Sequence, residues 1–173
     1  MHPKHQPTGR EVSLNDDEFI VSKTDPQSRI TYANRAFMRI TGYSESEFLG
    51  QPQSIIRHPE MPRGVYRLLW DTIRNGDEFF GYINNLCKDG SNYWVWANIT
   101  PDRDAQGRII GFFSARRKPD PAAVAKVKPI YAEMLAAEAG TSSVDAACKA
   151  SLAVLDRHIH PEHADYEAFV LSL

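Results

Sequence analysis

Short runs of apolar and β-branched residues alternate with turn-forming residues along most of the first 120 positions. Five segments have this strand-like character, and they cover residues 18–23, 29–32, 78–87, 92–100 and 108–116. A turn cluster at Asp25-Pro26-Gln27-Ser28 separates the first two, and Lys88-Asp89-Gly90 separates the third and fourth. Because such turn residues between apolar runs favour hairpins, the pattern predicts antiparallel strand pairs.

The region between the second and third strand-like segments has a helical pattern instead. Asn34 is a candidate N-cap for a helix that buries Phe37, Ile40 and Thr41, which fall at helical spacing. Ser44 to Glu47 reads as a capping box, and Gly50 is a natural helix end. A further helix is predicted from Pro62 to Asn75, with its apolar stripe at Val65, Leu68, Leu69, Thr72 and Ile73. This order predicts an α+β fold, with an antiparallel sheet and short helices on one face.

The residue pattern changes at Asp120, where Ala, Glu and Lys become frequent. One helical stripe extends from Val124 to Met134 and is interrupted by Pro129, and a second extends from Val144 to Leu155. A last short helix is expected around Phe169, after His160-Pro161. We therefore divide the chain into a mobile N-terminal segment (1–16), a folded domain (17–118) and a helical C-terminal extension (119–173).

Composition and charge narrow the range of functions. The chain has 173 residues, of which 42% are hydrophobic and 24% charged, and its formal net charge is −2. That balance is typical of a globular protein and disfavours binding to nucleic acid or to anionic membranes. The absence of a long apolar run and of a signal peptide predicts a cytoplasmic protein that does not insert into membranes. The two cysteines, Cys87 and Cys148, are too far apart in the sequence to suggest a disulfide framework or a thiolate metal site.

Four segments carry a resemblance to a known family. They are Tyr32-Ala33-Asn34, Ile40-Thr41-Gly42-Tyr43, the stretch from Gly50 to Pro62 with Arg57-His58-Pro59-Glu60-Met61-Pro62, and Lys88-Asp89-Gly90 followed by Tyr93-Trp94-Val95. Together with Trp70, they resemble PAS domains of the Aer type, the sensors of bacterial redox and energy taxis, which include CetB-like proteins. The resemblance implies a PAS fold and bound FAD. It also implies conformational signalling to a membrane chemoreceptor or other signalling module in trans, or to a second copy in a homodimer, without catalysis.

The same resemblance points to candidate cofactor-binding residues. A flavin needs apolar walls for its ring, amide-like partners for its polar edge and cations for its phosphates. Asn85 matches an asparagine that faces the flavin in light-sensing PAS relatives, and an amide can both donate and accept there. Arg57 and His58 match the Aer motif, in which Arg57 offers a planar fork to oxygen atoms. Trp70 is expected to form a wall of the flavin site or to fill the core, and Asn34 to line the pocket or to cap a helix.

The same residues are also compatible with other functions. Arg57 and His58 could instead fix an irregular loop, and Asn85 could be an exposed strand residue. A haem sensor would need an axial histidine, and His58 is the only histidine in the matched region. A cofactor-free interaction module is the remaining alternative. Residues 51–61 contain no cysteine, so a covalent light cycle is not expected. His158, His160 and His163 are expected to be solvated rather than to bind a metal.

Overall fold

The computed structural model describes residues 5–160 and 162–173, and within them five strands form one antiparallel sheet. The strands are β1 (Ile20–Thr24), β2 (Ile30–Ala33), β3 (Phe79–Leu86), β4 (Asn92–Arg103) and β5 (Ile109–Arg117). Their order across the sheet is β2-β1-β5-β4-β3, which places the N-terminal hairpin beside the last strand. The predicted α+β class with an antiparallel sheet is therefore confirmed.

Three α-helices and one 3₁₀ turn connect β2 to β3. They are α1 (Arg35–Thr41), α2 (Glu45–Phe48), the 3₁₀ turn Gln53–Ile56 and α3 (Arg63–Asn75). The predicted caps are confirmed, since the Asn34 side chain accepts a 3.1 Å hydrogen bond from the Phe37 backbone N–H and the capping box that begins at Ser44 is present. α3 ends at Gly76, whose φ of 97° suits glycine.

The strand register divides the side chains of the sheet between two faces. Asn85 pairs with Tyr93, and Ala97 pairs with Arg116, so these residues share the face toward α3, here called the inner face. Tyr82, Trp94 and Trp96 alternate with them and lie on the outer face. The core on the inner face includes Phe37, Phe48, Val65, Ile73 and Phe79, each at most 2% exposed.

Three further helices follow the sheet. They are α4 (Pro121–Glu138), α5 (Val144–Ile159) and α6 (Tyr166–Ser172). α4 begins on the outer face, where the Tyr131 ring stacks on Trp94 at 6.1 Å and its hydroxyl donates a 2.9 Å hydrogen bond to the Tyr82 carbonyl. The predicted interruption at Pro129 is wrong, because α4 continues through it. Burial of Val127, Tyr131 and Met134 on both sides of the proline outweighs the lost backbone hydrogen bond.

The N-terminal segment contacts the turn between β3 and β4. The Thr8 N–H donates a 2.8 Å hydrogen bond to the Gly90 carbonyl, the Val12 N–H donates one of 2.8 Å to the Asn92 carbonyl, and Leu14 is 2% exposed. These contacts hold residues 8–14 of the segment against the turn, while residues 1–4 lie outside the described residues. Pro161, proposed to break the helix after His160, is also outside them. None of the helices in the described ranges combines the length and apolar character needed to cross a membrane.

Candidate functional site

A cavity of about 680 Å³ lies between α3 and the inner face of the sheet, and we call it the inner cavity. Its volume is in the range of small-molecule and cofactor sites. Its apolar walls come from both layers and include Leu69, Trp70, Ile73, Ile83, Ala97 and Phe112. The rings of Trp70 and Phe112 pack edge to face, with their centroids 5.5 Å apart and an interplanar angle of 81°, which helps to hold the indole in place.

Four polar side chains in this cavity have buried atoms without a hydrogen-bond partner among the described residues. These atoms are Asn85 Nδ2, Gln53 Nε2, Arg116 Nη1 and Ser114 Oγ. Three of them are nitrogen donors, and buried donors normally find an acceptor. The cavity is therefore suited to a ligand that is largely apolar and carries several acceptor atoms.

Asn85, one of the two adjacent asparagines considered for the flavin site, lines the inner cavity. It is 3% exposed and projects from β3 on the same face as Ile83. Asn84 does not line the cavity, and its side-chain oxygen accepts a 3.0 Å hydrogen bond from Asn92. The period of two residues along the strand explains why only Asn85 is available to a ligand.

Arg57 and His58 are placed differently, although the sequence predicted a shared role. Arg57 lines the cavity, pairs with Asn85 through its backbone and holds its guanidinium carbon 3.9 Å from the centre of the Tyr66 ring. His58 is 3% exposed but does not line the cavity. Its Nδ1 accepts a 3.2 Å hydrogen bond from the Glu60 N–H. Burial lowers the pKa of His58, and the nearby Glu60 carboxylate opposes that effect.

Asn34 lies outside the inner cavity, and both its side-chain oxygen and its side-chain nitrogen are hydrogen-bonded to the backbone. Its oxygen accepts hydrogen bonds from Phe37 and Val21, and its nitrogen donates a 2.8 Å bond to the Phe19 carbonyl. Of the two roles considered for Asn34, these contacts correspond to the helix cap. Trp70, by contrast, is half-buried and does line the cavity.

Sequence reasoning missed several residues of the cavity, above all Arg116 and Gln53. Arg116 alternates with Ser114 and Phe112 along β5, so a charged residue in phase with the core-facing positions was the available signal. Gln53 comes from the 3₁₀ turn, for which no periodic pattern exists. Cys148 of α5 also lines the cavity and could not be placed there without knowing how the C-terminal helices pack.

The side of the cavity nearest the solvent is rich in arginine. Arg63, Arg67 and Arg74 of α3 all line it. Arg67 has only a 3.4 Å contact with Asp145, and Arg74 lies 4.8 Å from the centre of the Trp70 ring. This arrangement places several positive charges within reach of an anionic group at the rim.

Cys87 does not line the inner cavity. Its thiol donates a 3.1 Å hydrogen bond to the Ile40 carbonyl, and burial raises its pKa. Among the described residues, no group of three or more His, Cys, Asp or Glu side chains has the arrangement of a metal site. His158 and His160 instead contact Glu133 and Asp156.

Comparison with known proteins supplies a context for this cavity. The sequence profile described as PAS fold matches residues 30–115. The aerotaxis receptor of Escherichia coli (strain K12) is 38% identical over 124 residues, which are 72% of this chain and 24% of the receptor. The nitrogen fixation regulatory protein of Klebsiella pneumoniae is 35% identical over 97 residues, 56% of this chain and 20% of that protein. The chain thus spans about a quarter or less of these relatives.

A solved structure has the same fold. It is a light-oxygen-voltage domain from a study of a flavin analogue, and it aligns with a TM-score of 0.56 at 27% identity. The alignment covers 66% of this chain and 87% of the other.

Proposed function

Residues 30–115 belong to the PAS family, and we propose that they form a flavin-binding redox sensor that signals by conformational change. The observation that carries this proposal is the inner cavity, where apolar walls enclose three buried nitrogen donors without partners. The aligned light-oxygen-voltage domain comes from a study of a flavin analogue. A flavin ring would present carbonyl oxygens and ring nitrogens to those donors, and its flat body would lie against Trp70 and Phe112.

We propose FAD as the form that binds. The amide of Asn85 would meet the polar edge of the ring, and Arg57 would hold an oxygen atom near the loop. The arginines at the rim, Arg63, Arg67 and Arg74, would meet the pyrophosphate of FAD, whose two charged phosphates extend further along the rim than the single phosphate of FMN. When bound, the flavin supplies reversible uptake of electrons, with changes in the charge and protonation of its ring.

The C-terminal extension is our proposed output element. Asn85 lies on β3, and the carbonyl of Tyr82 on the same strand accepts the hydrogen bond from Tyr131 of α4. A reorientation of the Asn85 amide would therefore act on a strand that contacts α4 directly. The proposed partner is a membrane chemoreceptor or signalling module in trans, or a second copy of the chain. The similarity to the aerotaxis receptor supports a role in such signalling.

An absorption spectrum of the purified protein tests the cofactor. We expect flavin bands, with FAD released when the protein is denatured, because all the contacts proposed for the flavin are noncovalent. A Soret band would show haem instead, and a colourless protein that takes up no FAD, FMN or riboflavin would contradict the proposal.

A cavity-filling variant tests whether the flavin binds in the inner cavity. Ala97→Leu places a larger side chain on the inner face, where Ala97 is 1% exposed and lines the cavity. We expect it to reduce flavin uptake strongly. Ala115→Leu is the matched control, because Ala115 lies on the adjacent strand with its side chain on the other face. Equal flavin uptake by both variants would place the ligand elsewhere.

Hydrogen exchange tests whether the C-terminal helices respond to the redox state of the flavin. We expect amides of α4 and α5 to exchange at different rates in the oxidised protein and in the dithionite-reduced protein. Tyr131→Phe, which removes the hydrogen bond to Tyr82, should diminish that difference. A redox-dependent change confined to other elements would move the output surface away from the C-terminal helices.

A further inference from the structure

Arg116 is a buried cation whose charge has no counterpart in the fold. It is 5% exposed, and its Nη2 donates a 3.0 Å hydrogen bond to the hydroxyl of Ser22, which is itself 1% exposed. Its Nη1 has no partner, and no ion pair among the described residues includes Arg116. A buried guanidinium without a carboxylate is costly, so its presence in a cavity wall calls for an explanation.

The surroundings of Arg116 do not supply the missing negative charge. Burial lowers the pKa of its guanidinium, while the phenols of Tyr93 and Tyr66 act in the opposite direction. Both phenols have pKa values raised by burial and are neutral at ordinary pH. Gln53 also lines the cavity, and its oxygen faces Ser22 while its nitrogen is unpaired. The protein thus places a cation among neutral donors, which is an arrangement that favours an electron-rich ligand.

We propose that Arg116 binds the flavin ring itself, contacting an electronegative ring atom and stabilising negative charge on the ring. This inference rests on the proposed flavin-binding function. A phosphate is the other possible source of negative charge on the ligand. The ring is favoured because Arg116 is buried on the inner face, whereas Arg63, Arg67 and Arg74 lie on α3 at the solvent side.

The matched pair of variants is Arg116→Met and Arg117→Met. Both remove one positive charge from β5, but Arg117 is exposed and points to the opposite face. Affinities for riboflavin, FMN and FAD are measured by fluorescence titration of the apoprotein. We expect Arg116→Met to weaken all three roughly 10- to 100-fold, as for loss of a charge-assisted hydrogen bond. Arg117→Met should bind all three like the wild type.

Stability of the apoprotein separates ligand binding from a structural role. If the role of Arg116 is to bind the ligand and not to stabilise the fold, its replacement by an apolar side chain of similar length removes an uncompensated buried charge from the apoprotein. Apo Arg116→Met should then unfold at the same urea concentration as the wild type or at a higher one. Where Arg116→Met still binds enough flavin, a dithionite titration should give a more negative midpoint potential, because reduction adds negative charge beside the lost cation.

The outcomes can be told apart. A loss confined to FMN and FAD would assign Arg116 to phosphate and overturn the ring contact. Unchanged affinity for all three flavins, or an apoprotein less stable than Arg117→Met, would overturn the inference while leaving the flavin proposal intact. A wild-type protein that binds none of the three flavins would overturn the proposed function and this inference together.

Discussion

The carboxylate of Glu138, at the end of α4, accepts a 2.6 Å hydrogen bond from the backbone N–H of Arg63, the first residue of α3. The Gly64 N–H donates to the same oxygen at 3.3 Å. The residue at the N-cap position of α3, Pro62, makes no side-chain cap. Glu138 therefore supplies from another helix the acceptor that α3 lacks, and the negative charge suits the helix dipole. This contact joins the C-terminal extension to a wall of the inner cavity.

Glu138→Ala should loosen the first turn of α3. We expect a loss of about 1 kcal/mol in the free energy of unfolding, the usual contribution of a helix cap, measured by urea denaturation. Because α3 carries Trp70 and the rim arginines, flavin affinity should fall as well. Glu133→Ala is the control, since Glu133 lies on the same helix and its carboxylate pairs with His158 at the surface. Equal effects of the two variants would argue against the cap.

The approach of α5 to α3 depends on Gly64. A Cβ at this position would lie 2.6 Å from the hydroxyl oxygen of Ser151 and 2.9 Å from its Cβ. Gly64→Ala should therefore displace α5 and destabilise the protein by roughly 1–3 kcal/mol, as expected for overpacking. Adding Ser151→Gly removes the atoms in the way, so the double variant should recover part of the loss, less the cost of glycine within a helix. A double variant that is only additive would contradict this contact.

Asn34→Ala distinguishes the two roles considered for Asn34. Because the side chain caps α1 and makes no contact with the inner cavity, we expect a loss of roughly 1–2 kcal/mol in stability. The affinity of the folded protein for flavin should be unchanged, as measured by titration well below the melting temperature. Asn85→Ala is the contrasting variant, with a weaker flavin complex and little change in apoprotein stability. Loss of flavin affinity in Asn34→Ala without loss of stability would reverse the assignment.

The fold could be predicted in large part because its signals are local. The capping box beginning at Ser44 and the turn at Lys88-Asp89-Gly90 fix elements from neighbouring residues alone. The helix interruption predicted at Pro129 is wrong because the burial of Tyr131 and Met134, which stabilises α4 there, depends on tertiary packing and not on neighbouring residues. The contact of residues 8–14 with the β3–β4 turn is likewise a long-range pairing between polar segments, which composition does not reveal.

The site was predicted less completely, for a related reason. Asn85 and Trp70 were suggested by the resemblance to PAS domains, and both line the cavity. The resemblance alone did not distinguish Arg57, which lines the cavity, from His58, which does not. Arg116 was overlooked because an arginine near the end of a strand ordinarily suggests an exposed residue. The register of β5 against β4 shows that Arg116 faces inward while Arg117 faces out.

His58 should make stability depend on pH. Burial lowers its pKa below the ordinary value of 6.5, and its Nδ1 must be unprotonated to accept the Glu60 N–H. Between the folded-state pKa and 6.5 the unfolded chain binds more protons than the folded one, so stability rises with pH in that window. The contribution of His58 is therefore complete above pH 6.5 and is lost as the pH falls through the lower, folded-state pKa.

The variant His58→Asn tests this dependence, because an asparagine oxygen can accept the same backbone hydrogen bond without titrating in this range. We expect the melting temperature of the wild type to fall as the pH is lowered from 7.5 towards 5, by about 2–4 °C for each 1 kcal/mol lost. His58→Asn should show a flatter profile over that interval. His160→Asn, which makes the same replacement at an exposed histidine at the end of α5, is the control for the substitution itself. If the slope persists in His58→Asn, the pH dependence arises from other groups and the buried imidazole is not its source.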